Sequence, residues 1–148
     1  MYDQPRPNAS QTAMTFEQML ERVRYEGAYP TRERAAEVVH QVLAALGRQL
    51  TGDERVDLAQ CLPIEAALTL TSQVPDTEQL AGWDFIKDMA ARCDCSPAVA
   101  RWDTGAVLAV VTQLAGPGLL ARILQWLPDD YALLFGQAQL HRPQRAAA

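Results

Sequence analysis

Apolar residues recur at spacings of three and four through most of this chain, so the elements predicted are helices. Thr15 and Gln18 have the spacing of a capping box, and Phe16, Leu20 and Val23 continue it as an apolar stripe, which predicts a first helix over residues 16–25. Thr31 caps a second and longer one, in which Ala35, Val39, Val42, Leu43, Leu46 and Leu50 fall on one face. Thr51 with Glu54 predicts another capping box and a third helix that buries Leu58, Ala59 and Leu62 before Pro63 stops it. Residues 64–70 are apolar enough for a short helical stretch, and 72–76, with Pro75, read as a linker. The second half runs from Phe85, Ile86 and Met89 through Ser96-Pro97, a cap and first helical residue, to a long helix that ends before Gly116-Pro117-Gly118. Residues 119–127 follow, stopped by Pro128.

The two halves follow one programme. Residues 31–68 laid over 96–133 without a gap give about nine identities in roughly 38 positions, several times the chance expectation. Val42-Leu43-Ala44 repeats as Val107-Leu108-Ala109, Gln60 and Leu62-Pro63 as Gln125 and Leu127-Pro128, and Ala67-Leu68 as Ala132-Leu133. The expected fold is therefore all-α: a helical bundle of two divergent three-helix repeats with short extra turns after each Leu-Pro. Repeat one covers 15–72 and repeat two 77–138 of a single domain over 15–138, with a disordered tail at 1–14 and another tail at 139–148. A unit of some 55 residues is marginal alone, so the copies should pack face to face around the nearly all-apolar helix that carries residues 107–111.

The chain's 148 residues, 49% of them apolar, suit one core. The net charge of −5 gives no positive field for a polyphosphate backbone, so nucleic acid is not an expected partner. The most apolar window, 105–111, falls well short of the roughly 18 residues of a spanning helix, and the N-terminal stretch lacks a secretory apolar segment. Neither a membrane nor export is expected. Three cysteines without framework spacing suit a reducing compartment, and the expected location is cytoplasmic.

Candidate chemistry is sparse. Cys93-x-Cys95, with Cys61 or His40, is a thin basis for a metal site, since tetrahedral zinc wants four ligands in two close pairs. No metal, cofactor or catalytic residue is expected. His40 sits mid-helix and His141 in the C-terminal tail, neither beside a nucleophile, and no nucleophile-elbow, zincin or P-loop pattern occurs. Gly116-Pro117-Gly118 reads as a helix boundary, and Asp129-Asp130 as carboxylates that favour a helix N-terminus. Glu54, Arg55 and Asp57 read as solvated charges. The one surplus is apolar: Leu119, Leu120, Ile123, Leu124, Trp126 and Leu127 cover more of a helix than one core face needs, and Trp83, Trp102 and Tyr131 lie in the same half. Leu119, Leu120, Ile123, Trp126, Trp102 and Tyr131 are thus the candidate partner surface.

The twice-given order of an apolar pair (Met19-Leu20, Phe85-Ile86), a capped long Ala/Val/Leu helix and a closing Gln60-Cys61-Leu62-Pro63 or Gln125-Trp126-Leu127-Pro128 resembles the bacterial family called domain of unknown function 2267. The resemblance spans roughly residues 16–135 and implies a helical fold with no assigned activity. The chain departs from it at Gly116-Pro117-Gly118, where a charged cap is usual. Two functions follow from these features: a non-catalytic module for binding another protein or a second copy, and, as the alternative, a sensor or carrier of a small apolar ligand held between the repeats.

Overall fold

Side-chain caps set the helix starts. In the computed structural model, which describes residues 14–137, Thr15 Oγ1 accepts the Gln18 amide at 3.1 Å and the Gln18 side chain accepts the Thr15 amide at 3.0 Å. This reciprocal box opens α1 (Phe16–Gly27), which ends on Ala28 in the left-handed region at φ 55°. Thr31 caps α2 (Arg32–Gly47) through the Arg34 amide. Next come α3 (Gly52–Cys61) and α4 (Ile64–Thr71), separated by Leu62 and Pro63. After the linker, α5 (Gly82–Cys93) ends on Asp94, again left-handed at φ 57°. Ser96 then caps α6 (Pro97–Trp126), and α7 (Tyr131–Leu134) is a single turn. These seven helices, with no strand among the described residues, make the fold all-α. The segments expected to be tails lie almost wholly outside the described residues, as does His141.

One start differs from expectation. Thr51 stands at the N-cap of α3, but its side chain makes no cap bond, and the Glu54 carboxylate that would complete the box instead accepts from Arg122 at 3.3 Å. The expected boundary at Gly116-Pro117-Gly118 is present: Gly116, at φ 81°, ψ 163°, is not helical and divides α6 into two helical segments across a kink, and Pro117 begins the second in the position where a missing N–H costs nothing. The positive φ there suits glycine.

The first segment of α6 lies against α1, α2 and α5, and the second segment reaches α3. Ala100, Val107, Leu108, Val110 and Val111 are buried on several sides of the helix, together with Val39, Leu43 and Leu46 of α2 and Phe85, Ile86 and Met89 of α5, in one cluster. Length and a mean hydropathy of 1.7 over its most apolar 18 residues would let α6 cross a bilayer, but Gly116 interrupts the rod and a third of that window is buried inside the fold.

Polar side chains close the helix ends. Arg55, expected to be a solvated charge, is half-buried and donates to the carbonyls of Gly47, Leu50 (2.9 Å), Leu70 (3.2 Å), Thr71 (3.2 Å) and Gln73 (2.6 Å). One planar guanidinium thereby satisfies the orphan carbonyls at the ends of both α2 and α4. Gly47 lets those ends meet, because a Cβ there would collide with the Leu70 carbonyl. Glu54 and Asp57 are engaged as well: Arg122 reaches Asp57 at 2.7 Å, joining α3 to α6. The linker is pinned by Gln49, whose side chain accepts the Leu80 amide at 2.8 Å and donates to Asp76 at 3.3 Å.

Leu43→Ala and Leu108→Ala, at 0% and 1% exposure, should each lower unfolding free energy by about 2–5 kcal/mol in denaturant melts. Arg55→Lys, which keeps the charge but loses the fork, should cost about 2 kcal/mol. Gly47→Ala should cost about 1–3 kcal/mol by forcing α2 and α4 apart.

Candidate interaction surface

Tryptophan usually lies largely buried, and when it stands in solvent it is the side chain most often found at the energetic centre of a protein interface. All three indoles of this chain are more than half exposed: Trp83 at 56%, Trp102 at 58% and Trp126 at 64%. Each is held by its backbone or its ring nitrogen. The Trp102 Nε1–H donates to the Gly27 carbonyl at 2.9 Å, which lays the ring across the end of α1. There it borders an open groove of about 490 Å³ lined by Glu26, Ala98, Arg101, Gly105 and Ala106.

Trp83 and Trp126 belong to a second region, where the start of α5 meets the end of α6. Ala81, the N-cap of α5, has no side chain able to cap, and Asp130 supplies that function from across the fold. Its carboxylate accepts the Gly82 amide at 2.8 Å and the Trp83 amide at 3.3 Å. Asp130 was expected to favour a helix N-terminus; the helix that it caps is α5, and a Cβ on Gly82 would sit within 3.0 Å of that carboxylate. Gln79 donates to the Trp126 carbonyl at 3.1 Å, and the Tyr131 hydroxyl donates to the Leu80 carbonyl at 2.9 Å. Segments 79–83 and 126–131 therefore form one continuous edge, with Leu133 exposed at 55% beyond it.

Of the six residues expected on a partner surface, Trp102 and Trp126 are exposed and Leu119 is half-buried. Leu120, Ile123 and Tyr131 lie in the core, at 5%, 0% and 0% exposure, and so form no part of a surface. The reason is the kink: it swings the second segment of α6 back onto α3 and closes Leu120 and Ile123 inside. Tyr131 packs edge-on against Phe85, ring centroids 5.5 Å apart, and burial together with Asp130 and Asp84 pushes its hydroxyl well above the usual tyrosine range. The first half also exposes apolar side chains that sequence reasoning assigned to a helical stretch without a face. Ile64 and Leu68 stand outward on α4 at 71% and 62%, and the i, i+4 spacing was the signal that placed them together.

The titratable groups make no reactive constellation among the described residues. His40 Nδ1 lies 2.8 Å from Thr69 Oγ1, and its ring is tilted against Phe16. Burial, then the neighbouring Cys95 and Asp103, push the Cys93 thiol up; burial and Asp57 do the same for Cys61, which disfavours the thiolate needed for attack or metal ligation. No three of His, Cys, Asp and Glu converge to hold a metal ion among the described residues. The one buried acid–hydroxyl pair among the described residues is Tyr29 and Asp103, joined at 2.6 Å, with Arg34 3.9 Å from the same carboxylate. This closed contact ties the α1–α2 turn to α6.

Burial first, then the hydrogen bond to Asp103 and its charge, raise the Tyr29 hydroxyl above its ordinary value. Above pH of about 10 the unfolded chain releases this proton while the folded chain keeps it, so the pair's contribution is present below that pH and is lost as pH rises. Tyr29→Phe should cost about 1–3 kcal/mol at neutral pH, by leaving Asp103 short of a donor, and should flatten the alkaline fall in melting temperature.

No curated protein matches the chain. A family model described as "Uncharacterized conserved protein (DUF2267)" matches residues 16–134, from the first residue of α1 to the last of α7. That description names no activity, and the chain belongs to that family.

Proposed function

We propose that this chain is a non-catalytic interaction module, built from two divergent copies of one helical unit, which binds another protein or a second copy of itself through the aromatic surface of its second half. The observation that carries this reading is the exposure of all three indoles while Phe85, Tyr131 and Phe135 are buried with the aliphatic core. Rigid aromatic area at a defined place is what interface hot spots are made of. The Trp102 ring is fixed by its bond to Gly27, and Trp83 and Trp126 stand on backbone fixed by Asp130 and Gln79, so little ordering entropy remains to be lost on binding.

The two-copy reading is supported by backbone detail as well as by sequence matches. Ala28 and Asp94 take the same left-handed cap at φ 55° and 57°. Thr31 and Ser96 cap the next helix through the same amide three residues on. Leu62 and Leu127 both leave their helices extended, at ψ 154° and 157°, ahead of Pro63 and Pro128. The buried side chains of both halves pack into one cluster, so the alternative of a small apolar ligand held between the copies has no observation in its favour among the described residues.

Light scattering after size exclusion, over a wide concentration range, with and without extract from the source cells, tests this reading. The chain should gain mass with concentration or retain a partner, and Trp102→Ala and Trp126→Ala should weaken that association roughly tenfold with the melting temperature little changed. Leu120→Arg should instead lower the melting temperature, because Leu120 is core. A wild-type chain that stays monomeric and retains nothing would overturn the reading.

A further inference from the structure

We propose that the edge formed by segments 79–83 and 126–131 docks a basic amphipathic segment of a partner protein, with leucine-type side chains on the indoles of Trp83 and Trp126 and lysine or arginine side chains against Glu78 and Asp129. This rests on the interaction-module reading and names the chemistry of the partner.

The charge distribution selects that occupant. Glu78 and Asp129 are exposed and adjoin this edge along the chain: Glu78 precedes Gln79, whose amide holds the Trp126 carbonyl, and Asp129 lies three residues after Trp126. Neither forms an ion pair with a described cation. The nearby cations are already engaged. Arg122, one turn before Trp126, is taken by Asp57 at 2.7 Å and Glu54 at 3.3 Å. Lys87 lies 3.6 Å from Asp84, and Arg101 donates to the Leu133 carbonyl at 3.3 Å. Asp130 is committed to the amides of Gly82 and Trp83. What remains along this edge is two exposed carboxylates that no described cation pairs, together with two exposed indoles, on a chain of net charge −5. A cation is drawn to such a place twice, by the carboxylate and by the ring face, whereas an acidic partner meets repulsion at both carboxylates. The partner's aliphatic side chains then cover indole area that water otherwise wets.

The test uses the full chain and a labelled synthetic helix of about fourteen residues, leucine and lysine in an i, i+3, i+4 pattern, titrated by fluorescence anisotropy. A second peptide replaces every lysine with glutamate. Trp126→Ala and Asp129→Lys should each weaken binding of the leucine–lysine peptide at least about fivefold, with the glutamate peptide not binding. Glu33→Lys changes net charge as much as Asp129→Lys but lies in the first turn of α2, beside the Arg34 that approaches Asp103 near the start of α6, the end away from Trp126. It should move the affinity less than about twofold at 0.15 M salt, where attraction beyond roughly 8 Å is screened. Equal weakening by Glu33→Lys and Asp129→Lys, no effect of Trp126→Ala, or equal binding of the two peptides would each overturn the inference. Self-association through Trp126 that the peptide fails to displace would overturn it in favour of a second copy. If the peptide result fails while association in light scattering still depends on Trp126, the partner's chemistry falls and the module reading stands; if Trp126→Ala changes neither, both fall. Circular dichroism melts confirm that each variant folds, and Asp129→Lys, at an exposed site whose side chain makes no described hydrogen bond, keeps the test open should Trp126→Ala not fold.

Discussion

Burial of α6 is the constraint on which the other helices depend. Ala100, Val107, Leu108, Val110 and Val111 leave almost no polar side on its first segment, so that segment has to be surrounded, and α1, α2 and α5 surround it. Fully buried leucines and valines contribute about 1.5–3 kcal/mol each, enough to make helices that are marginal alone cooperative together. A straight rod of 30 residues would outrun that core. After the kink at Gly116 the second segment meets α3, where Leu120 and Ile123 complete the interior and Arg122 ties the outside to Asp57 and Glu54.

Polar groups then deal with what helix packing leaves over, the unpaired amides and carbonyls at the ends. Arg55 gathers carbonyls from the ends of α2 and α4, Asp130 holds the opening amides of α5, and Gln49 fixes the linker between them. Each reaches far along the sequence to do so. The Asp130 contact has a second effect, since the carboxylate that starts α5 also sets the backbone under Trp83. Stability and surface therefore share a residue there.

Helix order, most caps, the apolar faces and the family were legible in the sequence, because they rest on local periodicity and on side chains that cap within three residues. Thr15, Thr31 and Ser96 act as their spacing indicates. What depended on distant contacts was not legible. Glu54 has capping-box spacing, yet Arg122 claims it; Arg55 has the pattern of a surface charge, yet five carbonyls surround it. The exposed positions were partly legible: the apolar excess of the second half includes Trp102 and Trp126, which are exposed, but nothing local tells which side of a kinked helix turns inward. Leu120 and Ile123 went to the core for that reason, while Trp102 and Trp126 stayed in water.

The central claim is that this fold closes its core without tryptophan and leaves all three indoles outside, available to a partner. Acrylamide quenching of tryptophan emission in the dilute, unassociated chain tests that most directly. The account predicts that all three indoles quench as solvated tryptophan does, with a single accessible population. A shielded fraction that survives dilution would place an indole in the core and contradict it.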